Sequence, residues 1–94
     1  MKKEFLQLIE QNWNLLSQFV PIVTRVHGKE HPEFLEVKKE FDLMNEKINN
    51  KNYNDLKVNF DNLKNITNNY LVPSDVCETY EACYKMLEKL NNNY

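Results

Sequence analysis

Residues that break helices are confined to three places in this chain: Pro21, the junction from Gly28 to Pro32, and Pro73. Between them, apolar residues recur at steps of three and four, the period of one helical face. Phe5, Ile9, Trp13, Leu16, Val20, Val23 and Val26 follow that rhythm and predict helix 1 over about Lys3 to His27. Pro21 lies inside the run and removes the hydrogen bond to the Ser17 carbonyl, at a cost of ~3 kcal/mol in an ideal helix. A kink or break is expected near Ser17 to Pro21. Gly28 is the expected left-handed residue that ends helix 1, and Pro32 suits the first turn of the next helix.

Helix 2 places Phe34, Val37, Phe41, Met44 and Ile48 on one face and ends in the polar run Asn49 to Asn52. Asn52 and Asp55 resemble a weak capping pair ahead of helix 3, whose face runs through Tyr53, Leu56, Phe60, Leu63, Ile66 or Thr67, and Tyr70. Pro73 and Ser74 interrupt the pattern. Asp75 and Glu78 then put negative charge in the expected first turn of helix 4, where the helix dipole favours it. Cys77, Tyr80, Tyr84, Leu87 and Leu90 form the last face. With no competing strand pattern, the reading is one all-α domain over residues 1–94, an antiparallel up-down-up-down four-helix bundle. In that topology the first and third connections share one end, which would bring His27, His31, Tyr70 and Cys77 into one neighbourhood. The Asn-rich stretches read as polar surface.

Hydrophobic residues make up 41% of the 94 and charged residues 28%, which argues for a folded domain with a real core. The net charge of −2 gives no electrostatic footprint for nucleic acid, and the lysines alternate with acids. Glu4, Gln7, Glu10 and Gln11 interrupt any signal-like apolar segment, and no apolar run approaches the ~18 residues of a membrane span. A soluble, cytoplasmic protein without a membrane partner is expected. Cys77 and Cys83 fall six residues apart in one predicted helix, about 9 Å between Cα atoms, too far to bridge.

The segment FVPIVTRVHGKEHPEFLEV, followed later by NNYLVPSDVCETYEACYKML, resembles the hemerythrin-like domain of the bacterial iron-sulfur-cluster-repair di-iron proteins. The two segments cover about half the chain. The resemblance implies a hemerythrin-like bundle with a di-iron site of histidines and His-x-x-x-Glu pairs, acting in nitrosative or oxidative stress. This chain has no such pair: Leu35 stands four residues after His31, and His31 four after His27. The family's last ligand pair would fall beyond Tyr94. The chain therefore reads as a shortened relative with a degenerate metal site, and none of the family's iron chemistry carries over to a particular residue.

The candidate metal ligands are His27, His31, Glu30, Glu36 and Cys77, joined by Glu33, a set whose nitrogen, oxygen and sulfur donors would suit iron or zinc. Against this, Gly28 and Pro32 interrupt the helix that would align the two histidines. His27 can instead cap helix 1, where the dipole favours a cation, and Cys77 can be a small core residue beside Tyr80 and Tyr84. Trp13, Tyr53, Tyr70, Tyr80 and Tyr84 read as core. One glycine cannot build a nucleotide loop, and no nucleophile, base and orienting acid assemble into a catalytic set. The leading expectation is a non-catalytic binding module with no cofactor, meeting a protein partner or another copy of itself through helix 1. Leu6, Leu8, Leu15, Phe19 and Ile22 lie there outside the core stripe. The alternatives are a metal-binding protein or sensor at the His27 to Glu36 junction and a structural homo-oligomer.

Overall fold

The computed structural model describes residues 2–94 and, among them, holds four α-helices, one 3-10 turn and no strand. α1 spans Lys3–His27, α2 Glu33–Asn49, α3 Lys57–Ile66 and α4 Glu78–Asn92, with the 3-10 turn at Tyr53–Asp55. α1 packs on α2 and α4, and α2 on α3. No helix among the described residues is long and apolar enough to cross a membrane.

The core follows the helical periods. Phe5, Ile9, Trp13, Leu16, Val20 and Val23 of α1 are buried, facing Phe34, Val37, Phe41, Met44 and Ile48 of α2. Trp13 stacks on Phe41 with ring centroids 4.6 Å apart and donates its indole N–H to Asn45 Oδ1 at 2.8 Å, so its polar end is satisfied. From α4, Tyr80, Cys83, Tyr84, Leu87 and Leu90 complete the same cluster. Of the expected aromatic core, Trp13, Tyr70, Tyr80 and Tyr84 are buried and Tyr53 packs half-buried against it.

The expected pattern departs from the fold at four points. Val26 is 58% exposed, because after Val23 the inward position comes four residues on, at His27. α1 runs through Pro21 as one helix, which excludes the break but not the kink expected there. Gly28 is not left-handed: its φ is −58°, and the chain continues in right-handed turns, with Gly28 N–H donating to the Thr24 carbonyl at 3.0 Å and His31 N–H to that of His27 at 2.8 Å. The reason for a glycine is space, since a Cβ would collide with the Thr24 carbonyl oxygen and stand 3.1 Å from Leu35 Cδ2.

α3 is the third departure. Its predicted first turn is the 3-10 turn, and the helix stops at Ile66, with Asn68, Asn69 and Tyr70 all at positive φ (52°, 61° and 62°). Asn tolerates this region because its short side chain can bond locally, so part of the Asn-rich sequence is backbone chemistry and not only surface polarity. Buried Thr67 anchors the turn, its hydroxyl donating to the Leu63 carbonyl and accepting the Tyr70 N–H, both at 2.7 Å. Finally, α4 starts at Glu78, so Asp75 precedes the helix. Cys77 is its extended N-cap (φ −80°, ψ 171°), exposed and not in the core.

Candidate functional site

The end of α1, the start of α2 and the segment before α4 meet around Tyr80, where both histidines rest. The ring centroids of His27 and His31 lie 5.5 and 5.6 Å from that of Tyr80, each edge-on, and 6.5 Å from one another. His27 reaches this place because it continues the buried stripe of α1. Its Nε2 is 3.2 Å from Cys77 Sγ, which the extended N-cap backbone turns out of α4 toward it.

His31 has the opposite environment. Its Nδ1 is 2.8 Å from Glu33 Oε1 and its Nε2 3.0 Å from Asp75 Oδ1. A neutral imidazole carries one N–H, so both bonds are made only by the imidazolium. The hydrogen bond to Glu33 is the main cause of a raised His31 pKa, helped by the negative charge of Asp75 and opposed by burial. The charged ring ties the first turn of α2 to the segment before α4. Beneath it, the hydroxyls of Tyr80 and Tyr84 are 3.0 Å apart and buried. Burial pushes both phenols above their ordinary range, so they stay neutral hydrogen-bonding groups and not general bases.

Of the sequence candidates, the fold joins His27 to Cys77 and sets His31 with Glu33. Glu30 is exposed, and Glu36 faces a shallow depression between α2 and α3 with Lys39, Glu40 and Asn62. Tyr70 binds elsewhere, accepting a hydrogen bond from Asn91 Nδ2 at 2.9 Å. Among the described residues, no three His, Cys, Asp or Glu side chains gather in a metal-holding arrangement. The junction therefore offers a thiol beside an imidazole and a separate, carboxylate-bound histidine. Burial pushes the thiol of Cys83 up to about 12, which leaves Cys77 as the accessible sulfur.

Sequence reasoning missed two features. Spacing assigns Asp75 to a helical turn, and only the late start of α4 lets it reach His31. The second is a polar chain through buried Asn59, which accepts from Lys47 Nζ at 2.8 Å and donates to Glu40 Oε1 at 3.0 Å. Lys47 also binds the Asp55 carbonyl at 2.8 Å. The signal was available: Asn59 stands three residues after Leu56 and four before Leu63, a polar residue on the apolar face. The two depressions beside this chain enclose about 240 and 310 Å³, at or below the floor of the ~300–1,000 Å³ of small-molecule sites.

Comparison of the chain with protein families, with curated proteins and with solved structures returned no match in any of the three.

Proposed function

We propose that the chain is a non-catalytic binding module, an antiparallel up-down bundle of the hemerythrin type without its di-iron ligands, that meets a protein partner through α1. The observation that carries this reading is the second apolar edge of α1. Leu15, Ile22 and Val26 are 40%, 42% and 58% exposed. Leu15 and Ile22 lie in a stretch, Gln11 to Thr24, with no formally charged side chain, and Val26 follows just after Arg25. Charge depletion around exposed aliphatic residues is the compositional mark of an interface core. A role in iron-sulfur repair or stress biology belongs to the resemblance of the VHGKEHPEF and VPSDVCETY segments to that family.

The test is whether this edge is free of the core. Leu15→Glu and Ile22→Glu are expected to melt within about 0.5 kcal/mol of wild type, as surface substitutions do, in circular-dichroism melts of dilute protein. Unfolding of both would make the edge part of the core and remove the reading. Stoichiometric iron with a di-iron optical spectrum in protein purified without an affinity tag would equally overturn it.

A second reading, a metal-responsive or sensor junction, is favoured by the 3.2 Å approach of His27 Nε2 to Cys77 Sγ. Such a pair supplies two ligands for zinc or iron, the rest coming from solvent or another molecule. Zinc titration followed by calorimetry would show one site in wild type that is lost in His27→Ala and in Cys77→Ser. Equal binding by both variants would remove the junction as the site.

A further inference from the structure

We infer that the occupant of the free edge of α1 is α1 of a second copy of this chain, in a parallel seam that sets Asn12 against Asn12. This rests on the reading of α1 as a binding face and adds its partner and register. Leu8, Asn12, Leu15, Phe19, Ile22 and Val26 follow one another at alternating steps of four and three. That is the spacing of a coiled-coil seam sustained over nearly three heptads. It runs beside the buried stripe of Phe5, Ile9, Leu16 and Val23 and is distinct from it. Leu8 and Phe19 pack half-buried against the core, while Leu15, Ile22 and Val26 remain 40%, 42% and 58% exposed.

Charge selects the occupant. The stretch from Gln11 to Thr24 has no formal charge in a chain that is 28% charged, so an acidic or basic helix finds no complement on it. A second copy brings the same uncharged stripe, and a two-fold contact requires a surface that matches itself. Gln11 and Gln18, at two of the three positions on one flank of the seam, put neutral amides where like charges would repel two copies, and only the last, Arg25, is charged. Asn12 selects the direction. Its Nδ2 donates to the Leu8 carbonyl at 2.9 Å, which leaves Oδ1 and the second amide hydrogen for another amide. In a parallel seam each position meets itself, so the two Asn12 side chains donate to and accept from one another. An antiparallel seam would set each against an apolar residue and leave the amide unpaired, a costly arrangement once water is excluded.

The seam is small. Leu8 to Val26 covers about 27 Å of a helix about 10 Å wide, a few hundred Å² per copy. A standard interface buries ~800 Å² per partner. A weak, reversible dimer is therefore expected.

Sedimentation velocity of the full chain from micromolar to near-millimolar concentration is expected to show a reversible monomer–dimer equilibrium that Leu15→Glu shifts to monomer at an unchanged melting temperature. The register is read by oxidative cross-linking in a Cys77→Ser background. Asn12→Cys is expected to form a disulfide-linked dimer, because paired positions of a parallel seam fall within the ~7 Å Cα limit, and Asn14→Cys, exposed on another side of α1, should not. Equal cross-linking at the two positions would overturn the register and with it the inference. A wild type that stays monomeric while Leu15→Glu melts normally would leave the binding face intact but exclude a second copy as its occupant. Unfolding of both Leu15→Glu and Ile22→Glu would overturn the face and the dimer together.

Discussion

The connection from α1 to α2 and the one from α3 to α4 use opposite backbone solutions. The first stays right-handed through Gly28 with its own backbone bonds and is tied by side chains to the segment before α4, His27 to Cys77 and His31 to Asp75, with Glu33 on the other side of the ring. The second reverses hand at Asn68, Asn69 and Tyr70 and closes on itself through two backbone bonds, Asn69 N–H to the Lys64 carbonyl at 2.7 Å and Leu71 N–H to that of Thr67 at 3.0 Å, and one side-chain bond, Tyr70 N–H to the Thr67 hydroxyl. The glycine stands where the hand does not change, and a tyrosine stands where it does. Residue type thus reports local space as often as backbone angle. A buried aromatic ring can hold a residue in the left-handed region that its own backbone disfavours by roughly 1–2 kcal/mol.

The strongest way to break this contrast is at Thr67. Thr67→Val keeps the shape but removes the acceptor for the Tyr70 amide and the donor to Leu63, leaving a buried N–H unpaired. The expected loss is about 2 kcal/mol, or roughly 8–16 °C in melting temperature for a domain of this size. Thr67→Ser, which retains the hydroxyl, should lose less than half of that. If the two variants melt together, the hydroxyl does not hold the turn.

Helix existence was legible in the chain because period-3.6 burial is a local pattern, and the core faces of α1 and α2 follow it residue by residue up to Val23 and through Ile48. Hand and contact at the connections were not legible, because they depend on what arrives from elsewhere in the fold. Gly28 looks like a left-handed stop until Leu35 and the Thr24 carbonyl are seen to occupy the space of a side chain. Cys77 looks like a core residue by spacing until α4 is found to begin one residue later. The nearness of His27 and Cys77 followed from topology, whereas the His31 clamp needed an acid that spacing had assigned to a helix.

A pair of smaller substitutions sharpens the comparison. At Gly28 the backbone is already helical, so Gly28→Ala would stabilise through the unfolded chain by ~0.4–1 kcal/mol if the site had room. The backbone collision should win, with a net loss of about 1 kcal/mol in thermal melts. Asn69→Gly goes the other way: it relieves a left-handed residue and should hold or raise stability by up to about 1 kcal/mol, offset in part by the greater freedom of glycine when unfolded. A stabilising Gly28→Ala would mean that the neighbouring turn moves aside at little cost.

The smallest effect is expected at His31, and it distinguishes a junction held by charge from one held by backbone. Its folded pKa is raised above 6.5 by Glu33 first and Asp75 next. A group with a raised folded pKa stabilises the fold fully below its unfolded pKa, and that contribution is lost as pH rises through the folded value. Melting temperature should therefore fall from just above pH 6.5 upward in wild type, relative to His31→Gln, with the two curves running parallel once the imidazole is neutral. The difference should amount to no more than a few degrees and shrink in high salt, because Asp75 is 69% exposed and its attraction is screened. Thr67→Val should not alter this pH dependence, because the Thr67 hydroxyl bonds the Leu63 carbonyl and the Tyr70 amide and touches neither His31 nor its two carboxylates. Were His31→Gln to melt in parallel with wild type from pH 5 to 9, the two carboxylate contacts would contribute geometry without charge, and the junction would be held by Gly28 packing and backbone bonds as the other connection is.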